Sequence, residues 1–164
     1  MARGSGGRMK RSRAKTASRP DARSAALRLL ARRDYSRLEL AHKLGGKSYP
    51  EEQVATALDQ MEELGYLSEQ RFAEMLVRSR ISGGFGPVKI RFELREKGVP
   101  EQLAEQAILE AGPDWLALAR AVRNRHFGDF APADLRERAR QCRYLQSRGF
   151  TTDQVRYAVN WADE

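Results

Sequence analysis

One cysteine and two histidines are the side chains of this 164-residue chain best suited to nucleophilic or metal chemistry. They are Cys142, His42 and His126, too few for a structural zinc site with its four ligands. Neither histidine has a serine, a cysteine or a paired acid at a useful spacing, so both are predicted to be surface residues. Cys142 shares a helical segment with Ala139 and Leu145, which favours a thiol buried in the core.

The stretch Gly83-Gly84-Phe85-Gly86 is the one place where the backbone could cradle a phosphate. It lacks the G-x-x-x-x-G-K-[ST] order of a P-loop, and no buried strand precedes it. We therefore predict a flexible connector between two helices. With no catalytic residue, metal set or cofactor motif in view, the sequence predicts a protein that is not an enzyme.

The overall composition limits where the protein works and what shape it takes. A single cysteine allows no internal disulfide, which fits a reducing compartment and predicts a cytoplasmic location. No apolar run approaches the roughly 18 residues of a membrane span. Apolar residues make up 41% and charged residues 32% of the chain, which is typical of an elongated body with much surface. A monomer is expected.

The net charge of +8 is concentrated at the amino end, where residues 1–20 hold seven basic residues and no acid. A segment so rich in Gly, Ser and Arg cannot bury enough apolar area to fold. We predict a disordered basic tail that adds non-specific affinity for phosphates. An organellar transit peptide is an alternative, although the tail lacks the apolar face of such peptides, and residues 4–7 could be a vector scar. The predicted DNA-contacting residues of the tail are Arg8, Lys10, Arg11, Arg13 and Lys15.

An internal repeat with spacings of 50 and then 51 residues organises the rest of the chain. The segments YPEEQVATAL, VPEQLAEQAI and FTTDQVRYAV align without gaps from Tyr49, Val99 and Phe150. Five residues upstream, leucines coincide in all three repeats; within the segments, alanines and then aliphatic residues coincide. The aligned residues are Leu44, Leu94 and Leu145; Ala57, Ala107 and Ala158; and Leu58, Ile108 and Val159. Chance likeness between amphipathic helices is the alternative.

Each repeat has the periodicity of three helices. The predicted helices span 22–33, 36–44 and 50–64; 69–81, 87–97 and 100–111; and 114–126, 133–147 and 151–162. The predicted units are 21–67, 68–112 and 113–164, after the tail at 1–20. Since such small units bury little alone and gain by stacking, we expect an all-α fold. It would be an elongated, curved array of three tandem three-helix repeats, each like a helix-turn-helix.

Apolar stripes and caps mark the predicted helices. The expected core stripes are Val54, Ala57, Leu58, Met61 and Leu64; Phe72, Ala73, Leu76 and Val77; and Leu116, Ala119 and Val122. Ser48 with Glu51, and Thr151 with Gln154, have the spacing of a capping box. Helices are expected to stop at the glycines Gly65, Gly98 and Gly112.

Residues 85–98, FGPVKIRFELREKG, alternate like a half-buried strand, yet the repeat places them in a helix. Their equivalents in the other two repeats do not alternate. In a helix, Ile90 and Leu94 share an inward face, and Val88 and Phe92 share another. Phe92 is therefore predicted to be an exposed aromatic side chain among arginines.

Charge is sorted between the predicted helices. Basic residues outnumber acids more than twofold in 23–47, 71–97 and 120–148, whereas 49–64 and 99–111 carry acids and no Lys or Arg. Such runs can be solvated faces, or they can build a body with a basic and an acidic side. Residues 35–67 resemble a helix-turn-helix, but the helix that would enter the major groove is acidic and repelled by phosphates. We predict the shape without that DNA-reading chemistry.

The chain resembles the RecX family, modulators of the bacterial RecA recombinase, over about residues 23–160. The resemblance lies in Gly65-Tyr66-Leu67, Arg71-Phe72-Ala73, Gly84-Phe85-Gly86-Pro87, Lys89-Ile90, Glu93-Leu94-Arg95-Glu96-Lys97-Gly98, the stretch 29–44 and the triplet 148–150. Ser68-Glu69 stands where an acidic pair is common, and Lys89 where arginine is common. The tail lies outside the resemblance.

The resemblance implies an all-α fold of tandem three-helix units without catalytic residues or a cofactor. It also implies binding in the groove of the RecA filament on single-stranded DNA, with weaker binding to duplex DNA. This would limit filament growth, ATP hydrolysis, strand exchange and co-protease activity, and so act on recombination, DNA repair and the SOS response. The contact residues that we expect are Arg71, Arg78, Lys89, Arg91, Phe92, Arg95, Arg136, Arg140 and Arg143. The alternative is a regulator that binds DNA directly through its tail and basic helices.

Overall fold

The computed structural model describes residues 18–160, in which the regular structure is helical throughout. The helices are α1 Ala22–Leu30, α2 Arg37–Gly45, α3 Glu51–Glu63, α4 Glu69–Ser82, α5 Pro87–Glu96, α6 Glu101–Ala111, α7 Trp115–Phe127, α8 Leu135–Ser147 and α9 Thr152–Asn160. The predicted all-α class is confirmed. Most of the predicted tail, and the last two residues of the predicted helix 151–162, lie outside the described residues. No helix within 18–160 is long and apolar enough to span a membrane.

The helices pack in threes around separate cores, which we call unit one (α1–α3), unit two (α4–α6) and unit three (α7–α9). The aligned leucines of the repeat, Leu44, Leu94 and Leu145, are each 0% exposed. The aligned alanines and aliphatic residues are buried as well. The repeat is therefore one three-helix packing scheme used three times, and the prediction of tandem units is confirmed.

The predicted core stripes are correct except at their ends. Leu64 is 53% exposed because α3 ends at the preceding residue and Leu64 serves as its C-cap. Leu116 is 41% exposed in the first turn of α7, and the buried stripe of that helix instead runs through Ala119, Val122 and Arg123. A periodic pattern indicates which face is apolar, but not where along the helix a partner covers it.

One predicted capping box is correct and one is wrong. Thr151 and Gln154 cap α9 reciprocally, with bonds of 2.9 and 3.3 Å between each backbone nitrogen and the other side chain. Ser48 instead takes a left-handed backbone with φ of 62°, and Pro50 is the N-cap of α3 without a side-chain cap. The first helix also ends at Leu30, earlier than predicted, and residues 31–33 form a turn.

Residues 85–98 contain a helix, as the repeat predicted, and the strand-like alternation is misleading. In α5 the side chains of Ile90 and Leu94 are 0% exposed, whereas Val88 and Phe92 are 50% and 56% exposed. The predicted facing of all four residues is confirmed. The alternation arises because a second, outward apolar pair interleaves with the inward pair.

The second helices of the units meet end to end. At what we call the two–three joint, the backbone nitrogens of Gly86 and Val88 donate to the carbonyls of Arg148 and Gly149 over 2.8 and 3.0 Å. At the one–two joint, the end of α5 lies against α2, where a Cβ on Gly98 would lie 3.0 Å from that of Leu38. The stretch 83–86 connects α4 and α5 as predicted, but it is also the surface on which unit three docks.

Candidate functional site

The outward side of α5 carries an apolar pair flanked by arginines. Val88, Arg91, Phe92 and Arg95 lie at positions i, i+3, i+4 and i+7, which share one side of a helix. We call these four residues the α5 face. It is aimed outward because Ile90 and Leu94 are fixed in the core of unit two, and because Pro87 and the Gly86 N-cap begin the helix against unit three.

The two arginines of the α5 face differ in their partners. The Nε atom of Arg91 lies 2.5 Å from Oε1 of Glu105 on α6, so its charge is largely balanced. Arg95 is exposed and forms no ion pair with another residue in 18–160. The face thus combines an exposed aromatic ring, an exposed valine, one neutralised guanidinium and one available guanidinium.

A second basic surface lies on α8, where Arg136, Arg140 and Arg143 follow at i, i+4 and i+7. We call these three residues the α8 face. Arg140 lies 3.3 Å from Glu137 and 5.4 Å from the ring centroid of Phe127. Arg136 and Arg143 are exposed, and the described part of the chain offers neither of them an ion-pair partner. This surface is suited to an anionic ligand.

Three of the predicted contact residues lie elsewhere. Arg71 donates to the carbonyls of Gly65 and Tyr66 over 2.6 and 3.1 Å and pairs with Asp34 of unit one at 3.4 Å. It therefore satisfies carbonyls just past the end of α3 and links two units, a role that the sequence analysis missed. The only sequence signal for it is the position of Arg71 six residues after the glycine of the Gly65-Tyr66 turn.

Lys89 and Arg78 are separated from the α5 face. Lys89 is half-buried in the two–three joint, with its Nζ atom 4.6 Å from the ring centroid of Phe85. On α4, Arg80 contacts Glu93 of α5 at 2.5 Å. Since residues two apart point to opposite sides of a helix, Arg78 faces away from α5. The nine predicted residues thus form two surfaces and three separate positions.

The predicted tail residues Arg8, Lys10, Arg11, Arg13 and Lys15 lie outside the described residues. The point at which the tail joins the folded body is well defined. The guanidinium of Arg19 lies 3.9 Å from the ring centroid of Tyr49, whose hydroxyl donates to the Pro20 carbonyl over 2.5 Å. The tail therefore joins unit one beside the start of the acidic helix α3.

The sorted charges are partly paired within the units. Arg37 of α2 pairs with Asp59 and Glu62 of α3 at 2.7 and 2.9 Å. Arg91 of α5 pairs in the same way with Glu105 of α6. The acidic third helices thus neutralise part of the basic second helices, so the basic and acidic sides are weaker than the sequence alone indicates.

Unit three contains a buried polar pair that the sequence analysis missed. Arg123 is 0% and Gln141 is 3% exposed, and Nε of Arg123 donates to Oε1 of Gln141 over 2.9 Å. The Arg123 guanidinium also donates to the side chain of Asn124 and to the carbonyl of Phe130, and burial lowers the pKa of Arg123. The pair ties α7 to α8 and to the loop before α8. The signal for it was the position of Arg123 one turn after Ala119 on the apolar stripe.

The two histidines and the cysteine do not form a site. Both His42 and His126 are exposed, as predicted. Cys142 is half-buried beside the core of unit three rather than fully buried, because Gln141 takes the interior position. Within residues 18–160, no three His, Cys, Asp or Glu side chains are grouped as metal ligands.

Comparison with known proteins agrees with the three-unit organisation. Family models described as the first, second and third three-helix domains of RecX match residues 22–61, 68–108 and 113–159. The "Regulatory protein RecX" of Halorhodospira halophila is 52% identical, over 87% of this chain and 88% of the relative. That of Chromohalobacter salexigens is 45% identical, over 87% and 93%.

Solved structures share the fold. A crystal structure of RecX from Lactobacillus salivarius has a TM-score of 0.68 and 23% identity, over 87% of this chain and 94% of that one. A second crystal structure, described as regulatory protein RecX, has a TM-score of 0.72 and 24% identity, over 87% and 70%. The curated relatives are named as regulators, not enzymes. The consecutive domain matches and the identity to these relatives establish that this chain belongs to the RecX family of regulatory proteins.

Proposed function

We propose that this protein binds the RecA filament on single-stranded DNA and negatively regulates it. Regulation would act on filament growth, ATP hydrolysis, strand exchange and co-protease activity, and hence on recombination, DNA repair and the SOS response. The protein would act as a cytoplasmic monomer without a cofactor, through units bounded at 21–67, 68–112 and 113–164. Family membership supports this proposal, since the curated relatives carry the name of a regulator.

The observation that carries the proposal is the exposed Phe92 ring on the α5 face. Aromatic and arginine side chains dominate the binding energy at the centres of protein interfaces. Val88 and Phe92 supply apolar area, while the Arg91–Glu105 pair leaves that part of the face nearly neutral. The α5 face is therefore suited to the protein of the filament, and the α8 face to its DNA backbone.

The test is the ATPase activity of RecA on single-stranded DNA, with this protein well below the RecA concentration. Phe92→Ala should raise the inhibitory midpoint about tenfold or more, as expected for an interface hot spot. Its thermal stability should barely change, because exposed positions contribute within about 0.5 kcal/mol. Leu109→Ala is the matched control, since Leu109 is an 80% exposed apolar residue on α6. Equal inhibition by both variants would count against the α5 face.

A direct DNA-binding regulator is the second candidate, favoured by the basic tail and by the unpaired Arg136 and Arg143. Deleting residues 1–17 keeps the Arg19 and Pro20 contacts with Tyr49 and removes most of the basic tail. For a filament regulator, this deletion should weaken salt-sensitive DNA binding and leave the inhibition of RecA intact. If inhibition required enough protein to coat the DNA, the second candidate would replace the first.

A further inference from the structure

A cluster of three aromatic rings borders the α8 face. The imidazole of His126 stacks on the ring of Tyr144, with centroids 3.9 Å apart and planes 11° apart. Phe127 meets both rings edge-on, at 4.7 Å from His126 and 5.3 Å from Tyr144. We call these three residues the unit-three aromatic cluster. It joins the last turn of α7 to α8.

The cluster and the arginines lie on the same side of α8. At about 100° per residue, Arg136, Arg140, Arg143 and Tyr144 fall within about 100° of one another around the helix. Arg140 also lies over the Phe127 ring. Rings and guanidinium groups thus form one continuous surface, rather than an apolar core beside an unrelated charged face.

One ring of the cluster is open to a further stacking partner. Tyr144 and Phe127 are half-buried, and Tyr144 packs against the core of unit three, so their rings are largely used for packing. His126 is exposed although Tyr144 covers one of its ring faces. The opposite face of the imidazole is therefore available, on a ring held in place by its stacking contact.

We propose that the unit-three aromatic cluster and the α8 face together bind single-stranded nucleic acid, with a base stacked on His126 and phosphates on the arginines. A positive surface with aromatic platforms is the arrangement by which single strands are bound without sequence preference. Phosphate contacts need no exposed base, whereas stacking needs an unpaired base. This inference rests on the DNA-contacting part of the proposed function and adds base stacking at a defined ring.

The test compares binding of the full chain to labelled oligothymidylate of about 16 nucleotides and to an abasic strand of equal length, by fluorescence anisotropy. The two strands carry the same phosphates, so the basic tail adds equally to both. The wild-type chain should prefer oligothymidylate by roughly tenfold, the range expected for one stacked base. His126→Ala should abolish this preference and leave affinity for the abasic strand unchanged, whereas His126→Phe should keep it.

Two further variants serve as controls. His42→Ala removes the other exposed histidine and should leave the preference unchanged. Arg143→Gln should weaken binding to both strands equally and lower the salt dependence. Equal wild-type binding of both strands, or an equal loss on both with His126→Ala, would overturn the stacking site and leave phosphate or acidic-protein binding as the role of the surface. No RecA is present, so such a result would leave the Phe92 test of RecA regulation intact.

Discussion

The two joints between the units use equivalent positions of the repeat but different chemistry. Gly98 and Gly149 align, and each lies against the start of the neighbouring second helix. At the two–three joint, Gly86 and Val88 donate from the backbone to carbonyls just past the end of α8, and the Arg148 side chain adds bonds to the Gly83 and Gly84 carbonyls. At the one–two joint, side chains make the polar contacts. They are Arg71–Asp34 and Lys97–Glu39, both at 3.4 Å, and the Glu69 carboxylate, which accepts from the Arg37 backbone nitrogen.

This difference indicates which parts of the protein are held most firmly in place. Backbone bonds at the two–three joint need a close approach that only glycine permits, and they place the carbonyl end of α8 at the amino end of α5, where helix dipoles attract. Ion pairs that are only partly covered, as both pairs at the one–two joint are, contribute about 0–1 kcal/mol each and are partly screened by salt. Units two and three should therefore present the α5 and α8 faces in a fixed relation, with unit one attached more weakly.

The largest expected effect is at Gly149. Its φ is +92°, and an added Cβ would lie 2.7 Å from the backbone nitrogen of Lys89. Gly149→Ala combines left-handed strain with overpacking, so it should lower the free energy of unfolding by about 2–5 kcal/mol. At Gly98, φ is +75° and the nearest atoms belong to the Leu38 side chain at 3.0 Å, so Gly98→Ala should cost about 1–3 kcal/mol. Urea unfolding measures both, and equal losses would contradict a tighter two–three joint.

A smaller effect is expected at Gly86, where sterics act without backbone strain. Its φ is −87°, which any residue adopts, yet a Cβ would lie 2.5 Å from the Phe150 nitrogen and closer still to the Gly149 carbonyl. Gly86→Ala should destabilise by about 1–3 kcal/mol. Gly45→Ala is the control, because no atom lies within 4 Å and alanine favours the α2 helix by up to about 1 kcal/mol. If both variants had the same stability, the close approach at Gly86 would not contribute to the contact between units two and three.

The one–two joint should respond more weakly. Lys97 and Glu39 form an ion pair across it, and their double-mutant cycle with Lys97→Met and Glu39→Gln should give a coupling of about 0.5 kcal/mol. In about 1 M salt this coupling should fall, because the Lys97 side chain is 43% exposed. Arg91 and Glu105 form an exposed ion pair inside unit two, and the double-mutant cycle of this pair is the control for salt effects unrelated to a joint. If the Lys97–Glu39 coupling persisted unchanged in salt, the one–two joint would be held as firmly as the two–three joint.

The pH dependence of the one–two joint should have two opposite components. Burial raises the pKa of Glu69, whereas for Glu39 burial is outweighed by the Arg33 hydrogen bond and the Arg33 and Lys97 charges, which lower its pKa. Glu39 thus stabilises the fold above its unfolded pKa of about 4.5, and this is lost as pH falls through its lower folded pKa. Glu69 stabilises the fold below about pH 4.5, and this stabilisation is lost as the pH rises through its raised folded pKa.

Two variants separate these components in urea titrations at several pH values. The deficit of Glu39→Gln relative to wild type should shrink as pH falls below about 4.5. The stability of Glu69→Gln relative to wild type should increase as pH rises above about 4.5, because the wild type must then ionise a buried carboxyl. If the stability differences of both variants from wild type changed with pH in the same direction, the two carboxylates would not act as their surroundings indicate.

Most of the fold could be predicted because local signals and the repeat agree. Leu94 aligns with leucines of the other two repeats, and helical periodicity places Ile90 on the same inward face and Phe92 on another, as the structure has them. The candidate site was predictable only in part. The sequence indicates that Arg71 and Arg95 are charged, but only the packing shows that Arg71 closes the α3 turn while Arg95 is available. Ion pairs between distant helices carry no periodic signal.

By itself, the sequence determined the helical class, the threefold repeat and the inward face of α5, because these follow from spacing along one chain. The tertiary structure alone decided which charges are balanced, as with Arg91 on Glu105, and which polar groups are buried, as with Arg123 on Gln141. It also decided that glycines 86 and 149 form a backbone joint and that His126 stacks on Tyr144. These features depend on distances between residues far apart in sequence, which only the packing of the helices sets.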